Sequence, residues 1–302
     1  MRRSELPRRD TEAIARSYVP GEGAVSIERL GSGLVNESYR VARGGRRYSL
    51  RIPLPVGEDL GLDRAWEYRV LARAAAAGIA PLIERCEPLE GILVTRWVDG
   101  RSWTPDEVRE PANIRAVAFL ARRIHALTIP EAPRRMSPAD WVAHYREALG
   151  APGSEGSGDP GRPPMPEIEK SLALRDAALA ALPSVPSVLC HSDLHAANLV
   201  AGEGGLKLLD WEYAHLSEAF WDLAGWSCNN DLAEEARRLL LLSYLGRTPR
   251  AEESERLEHL AWLYDYVCVL WSELFAARGG GEARAVSARA RFLAQRLNAA
   301  RL

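Results

Sequence analysis

The sequence predicts an α+β chain folded as two lobes, an antiparallel sheet followed by a mainly helical body. Three features predict this. Short runs rich in Val, Ile and Tyr, separated by glycine turns, fill most of the first hundred residues. Helical apolar spacings dominate after Pro105. Between them lies "DGRS" (99–102), a turn-forming stretch that suits a hinge. The expected units are residues 1–98 and 99–302, with a cleft where they meet.

In the first unit "AVSIERL" (24–30), "VNESYRV" (35–41) and "RRYSLRI" (46–52) read as a meander of three strands joined by the "GSG" and "RGG" turns. "DRAWEYRVLARAAAAG" (63–78) reads as a helix, with Trp66, Val70 and Ala74 on one face and Gly78 as its stop. "LIERCEPL" and "GILVTRWV" follow as two more strands. Helices are expected over 113–127, 138–149 and 167–182. The span 150–166 is too rich in Gly, Pro and Ser to pack and reads as a flexible insertion. "SVLC", "NLVAG" and "LKLLD" are short strands, and the rest is helical.

Composition narrows the partners. A formal charge of -2 and a pI near 6.4 give no bulk attraction to nucleic acid or anionic lipid, so a small molecule is the expected partner. Cys86, Cys190, Cys228 and Cys268 lack any paired spacing, as expected of buried thiols in the cytoplasm. The first twenty residues lack the apolar core of a signal peptide. No run approaches the roughly 18 apolar residues of a membrane helix, so no span is expected. Only Lys170 and Lys207 are lysines, so a phosphate partner in the first half must be an arginine.

The informative stretch is "HSDLHAANLV" (191–200), followed by "LLDWEY". Chance would produce H-x-D-x4-N roughly 0.005 times in a chain of this composition. Phosphoryl transfer uses this spacing: a loop Asp near the acceptor hydroxyl, and an Asn five positions on as a magnesium ligand. Asp210, at the end of the apolar "LKLL", would be the second ligand. One carboxylate and one amide oxygen suffice, because magnesium keeps waters and substrate phosphates. The plain alternative is a capped turn after a strand.

"HSDLHAANLV" with "LLDWEYAHLSEAFWDLA" resembles the paired loop signature of the aminoglycoside phosphotransferase and choline kinase family, relatives of protein kinases, over nearly the whole chain. The resemblance implies a bilobal kinase-like fold that uses ATP and Mg2+. It implies Asp193 as the catalytic residue, Asn198 and Asp210 as metal ligands, and His191 as a structural member of the loop. Asp222 would brace that loop; its alternative is a first-turn helix acid. Trp211 and Glu212 stand where protein kinases have Phe and Gly, and the choline-kinase branch matches better.

On the nucleotide side, "LGSGLVNES" (30–38) would cover the phosphates through Gly31, Ser32 and Gly33, although a plain hairpin favours the same glycines. Asn36 resembles the Asn of that turn in choline-kinase-like members. Strand alternation puts Tyr48, Leu50 and Ile52 on one face and Arg51 on the other, toward the cleft. Arg51 is the expected phosphate grip and Glu67 its partner; Glu67 is alternatively a solvated helix charge beside Arg64. Arg96, Trp97 and Val98 are placed at the adenine-binding hinge.

On the acceptor side, Trp221, Trp226, Trp262, Tyr264, Tyr266 and Trp271 form more of an aromatic cage than an acid trough, which suits a cationic amino alcohol such as choline, ethanolamine or thiamine. Glu212, Trp226, Asp265 and Trp271 are the candidate contacts. Helical aromatics are also ordinary core residues. An antibiotic kinase and a nucleotide-binding regulator without turnover are the rival readings.

Overall fold

The computed structural model describes residues 10–31, 33–129, 134–150, 165–278 and 283–299. Ser32 and nearly all of the 150–166 insertion therefore lie outside the described residues. The expected α+β architecture is present. Strands β1 (Ser26–Arg29), β2 (Asn36–Arg43), β3 (Arg46–Pro53), β4 (Ile83–Glu87) and β5 (Ile92–Arg96) form an antiparallel sheet in the order β1-β2-β3-β5-β4.

Each face of this sheet has its own cover. On one face α1 (Thr11–Tyr18) buries Ala15 against Val41, Tyr48, Leu50, Ile52 and Val94. The sequence reading did not include α1, which Asp10 caps by accepting from the Glu12 and Ala13 N–H groups at 3.1 Å. Beneath the other face runs α2 (Arg64–Ala76), capped by Asp63, and its Trp66 and Val70 join a core continuous with the helical body. Arg51 extends from β3 toward that face, as the alternation predicts.

The helical body comprises α3 (Pro111–His125), α4 (Pro138–Gly150), α5 (Met165–Ala181), α6 (Phe220–Asn229), α7 (Glu234–Leu245), α8 (Ala251–Ala277) and α9 (Ala283–Ala299). Two hairpin-like pairs are set into it: β6 (Ser187–Cys190) with β9 (His215–Glu218), and β7 (Leu199–Gly202) with β8 (Gly205–Leu208). Strand β9 has too little alternation to be read from sequence and exists because β6 needs a partner. Helix α8, 27 residues long, passes as long and apolar enough to cross a membrane by length and composition alone, but 72% of its most apolar window is buried among the other elements, as in a core helix.

The connection between sheet and helices is clamped. Arg101 exchanges backbone hydrogen bonds with Ala201 at 3.1 and 2.9 Å. A Cβ on Gly100 would lie 2.4 Å from the Ala201 oxygen, and one on Gly202 would lie 2.2 Å from the Asp99 oxygen. Only glycine permits this approach. A second tie is the indole of Trp66, 1% exposed, which donates to the Ala214 carbonyl at 2.7 Å.

Trp66→Phe keeps an aromatic ring but removes the indole N–H and part of the ring, and it strands that carbonyl. Its unfolding free energy should fall by about 1–3 kcal/mol, read from the urea midpoint. An unchanged midpoint would show that the bond contributes nothing to joining the two halves.

Candidate active site

The ladder of β7 with β8 brings the two motif loops together. It places Asn198 beside Leu209, whose N–H donates to the Asn198 carbonyl at 2.7 Å. His191, fully buried, reaches across with Nε2 to the Leu209 carbonyl at 2.9 Å. Burial lowers the His191 pKa, so the ring is neutral and its Nδ1 is left to accept the Asp193 N–H at 3.3 Å. Asp222, in the first turn of α6, accepts the His191 and Ser192 N–H groups at 2.9 and 2.7 Å. His125 Nε2 meets the same carboxylate at 3.1 Å. Ser192 and Asp210 have φ of 70° and 59°, one left-handed non-glycine residue in each loop. Such backbone persists only where surrounding bonds over-determine it.

Asp193 lies between two partners. The Asn198 amide donates to its carboxylate at 2.9 Å, and His195 Nε2 lies 3.4 Å away. Burial opposes ionisation, yet His195 and Asn198 hold the carboxyl down to about 2. His195 is raised in turn, with Asp193 outweighing burial. Sequence reading omitted His195, although it stands inside the motif itself.

The Asn198 amide donates through Nδ2 to Asp193, and its Oδ1 accepts no hydrogen bond among the described residues. Asp210 offers Oδ1 to Arg51 at 2.9 Å and has no partner on its other oxygen among the described residues. Two free hard oxygen donors thus line one cavity, which fits a magnesium ion.

Behind Asp210 lies a buried ionic relay. Arg51 binds Glu67 with two nitrogens, at 2.6 and 2.7 Å. Arg64 Nη1 binds Glu212 at 2.6 Å and Glu67 at 3.0 Å, and its Nη2 donates to Asn36 Oδ1 at 2.9 Å. The Asn36 amide closes the ring by donating to Glu212 at 2.8 Å. Asn36 and Glu212 therefore face each other across the lobes. The first was expected over phosphate and the second at the acceptor; both are engaged by Arg64. Sequence reading noted Arg64 only as a neighbouring charge. Glu67, Asp210 and Glu212 are close enough together to share a metal ion, but two guanidinium groups already serve them. Burial pushes the Glu212 carboxyl up to about 7, with Asp210 adding to it and both arginines opposing.

The cavity in front of Asp193 has a volume of about 540 Å³ and reaches from Gly33 and Asn36 to α8 and α9. Its wall is aromatic: Trp141 and Tyr145 from α4, Tyr213, Trp221, Tyr264 and Trp271. Trp271 donates to the Tyr213 hydroxyl at 2.8 Å and stacks on Phe275 at 5.2 Å. Trp141 and Tyr145 stack at 5.3 Å. Of the candidate acceptor contacts, Trp271 lines the cavity freely. Trp226 does not line it; the ring is wholly buried and packs edge-on against Trp103 at 6.4 Å. Asp265 lines it but is ion-paired to Arg296, with Nε at 2.6 Å. Tyr213, Trp141 and Tyr145 escaped the sequence reading, although Tyr213 directly follows Glu212 and the other two share the i, i+4 spacing of one helix face.

Gly33 stands at the cavity mouth, where a Cβ would lie 2.1 Å from the Asn36 carbonyl oxygen. Gly31 is left-handed with open space around it, at φ 52°. Arg96, Trp97 and Val98 do not line the cavity. Arg96 pairs with Glu84, Trp97 lies under the Arg40 guanidinium at 5.6 Å, and the Trp97 N–H donates to the Arg47 carbonyl at 3.1 Å.

A phosphotransferase enzyme family model matches residues 26–260. Protein LicA of Haemophilus influenzae is 22% identical over 82% of this chain and 73% of its own length. Ethanolamine kinase 2 of Rattus norvegicus is 29% identical over 55% of this chain, and the match spans 42% of that kinase's own length. The crystal structure of a choline/ethanolamine kinase family protein from Mesorhizobium loti superposes with a TM-score of 0.75 over 95% of this chain and 90% of that one, at 24% identity.

The raised Glu212 pKa sets a sign for stability. Between about 4.5 and 7 the unfolded state has released this proton and the folded state retains it, so stability should fall as pH rises through that window. Glu212→Gln should flatten this component of the unfolding free energy against pH. An unaltered profile would show that Glu212 is ionised throughout, as its arginine contact alone would dictate.

Proposed function

The chain belongs to the phosphotransferase enzyme family, and we propose that it is an ATP- and magnesium-dependent kinase of a small alcohol bearing a positively charged nitrogen. One observation carries this reading: Asp193, the free Asn198 oxygen and Asp210 stand at one end of a cavity whose remaining wall is aromatic. Residues 1–98 would hold the nucleotide and residues 99–302 the acceptor. Arg51 and the turn around Gly31 and Gly33 would face the phosphates, with Asn198 and Asp210 holding the metal. When bound, magnesium neutralises charge on the transferred phosphate.

Asp193 acts on the acceptor hydroxyl. A carboxyl held down to about 2 is a poor proton sink near neutrality, which favours orienting the hydroxyl for in-line attack over deprotonating it early. The neutral His191 ring and Asp222 fix the backbone that carries Asp193. That catalysis is mainly positioning agrees with what phosphoryl transfer requires.

The cationic acceptor is supported by the state of the wall. Of its four carboxylates, Asp210, Glu212 and Asp265 are paired with Arg51, Arg64 and Arg296. A polycationic antibiotic would find few free acids, whereas aromatic faces remain for one cationic nitrogen. The ethanolamine kinase among the relatives accords with this class.

A panel of amino alcohols, thiamine and aminoglycosides, assayed for ADP release, tests the class. Asp193→Ala should lower kcat by about 10²–10⁴-fold while ATP affinity is preserved. Normal turnover by that variant refutes the role. Asp210→Ala should raise the magnesium concentration needed for half-maximal rate, and an unmoved magnesium dependence refutes the ligand assignment.

A further inference from the structure

The acceptor end of the cavity contains a charge that the reading above leaves unused. Arg289 on α9 lines the cavity wall together with Leu293 of its own helix and Val267, Cys268 and Ser272 of α8. It is the one arginine or lysine in that wall, and it makes no hydrogen bond or ion pair among the described residues. Its guanidinium carbon lies 5.5 Å from the Phe292 ring centre, a stacking that leaves the in-plane N–H edge open. The neighbouring Arg296 cannot substitute, because it is bound to Asp265 and to Asp231 at 2.7 Å. Asp265 is likewise spent.

A guanidinium stays charged at any physiological pH and presents five donors, and no acceptor among the described residues takes those of Arg289. A purely cationic alcohol would worsen the position by adding a second positive charge to the same cavity. A ligand with one negative charge resolves both difficulties. Asp193 and Arg289 line one and the same cavity, with Cys268 also in its wall.

We propose that the acceptor is zwitterionic, an alcohol carrying a carboxylate as well as its cationic nitrogen, and that Arg289 selects it by pairing with the carboxylate. The inference rests on the kinase reading for the position of the hydroxyl at Asp193. One unpaired guanidinium matches one carboxylate, whereas a phosphate dianion would leave excess charge. The aromatic wall between the ends receives the nitrogen. Arg289 is a specificity residue and touches no reacting atom.

The test compares matched acceptors that differ by the carboxylate: L-serine against ethanolamine, and L-homoserine against 3-amino-1-propanol. ADP release and cavity tryptophan fluorescence, from Trp141, Trp221 and Trp271, are read in parallel. The wild-type protein should favour a carboxylated member by about 10- to 100-fold in kcat/KM, chiefly through KM. Arg289→Met, or Arg289→Gln should the first fold poorly, should erase that preference while leaving turnover of the carboxylate-free partner unchanged. A wild-type preference for both carboxylate-free members, or a ratio that both variants leave intact, overturns the role of Arg289 and leaves the kinase reading standing. Carboxylate-dependent fluorescence binding that Arg289→Met abolishes, with no ADP release for any acceptor, overturns the amino-alcohol kinase reading and sustains the anion site.

Discussion

Five ionisable side chains between the sheet and the helical body, three of them buried, constrain everything else in this molecule. Arg51 comes from β3, Arg64 and Glu67 from α2, and Asp210 and Glu212 from the loop after β8. The buried Arg51 and Glu67 in particular cannot be left unpaired, since a stranded buried charge costs several kcal/mol. The two halves therefore meet in a register set by ion pairs rather than by apolar contact alone. Burial, reinforced by the neighbouring Asp210 in a cluster where three carboxylates face two guanidinium groups, is why Glu212 keeps its proton toward neutrality. On the proposed kinase reading, the arrangement would hold Arg51 toward the phosphate and Asp210 toward the cation.

Around this relay the loops are fixed by backbone hydrogen bonds. Asp222 takes two consecutive amides and His191 ties its own loop to the carbonyl of Leu209. These bonds hold Ser192 and Asp210 in left-handed backbone, a conformation that costs of order 1–3 kcal/mol each for a residue with a side chain. The same geometry turns Asp193 into the cavity beside His195 and Asn198. Local strain, low pKa and a free amide oxygen are consequences of one set of contacts.

The cavity beyond is defined by what has been neutralised. With Asp265 engaged by Arg296 and Glu212 by Arg64, the free acidic groups are confined to the end near Asp193, and away from it the aromatic rings and Arg289 dominate what a ligand meets. A wall that is acidic by composition is thus aromatic and locally basic by contact. That difference separates an acceptor with a single nitrogen and a carboxylate from a polycation.

Much of this was legible in the linear chain. Spacing in "HSDLHAANLV" and the carboxylate after "LKLL" singled out Asp193, Asn198 and Asp210, which the fold brings to one cavity, because a motif confined to two loops is written in local order. Alternation in β3 placed Arg51 on the cleft side for the same local reason. Sequence did not decide which aromatic ring faces the cavity and which fills the core. Trp226 and Trp271 are alike in composition and helical setting, yet one packs on Trp103 and the other opens onto the cavity. Nor did it reveal that Arg64 would claim Asn36 and Glu212, partners 28 and 148 positions away in the chain. Burial and ion pairing over such separations depend on how helices and strands pack, and only the tertiary structure fixes that.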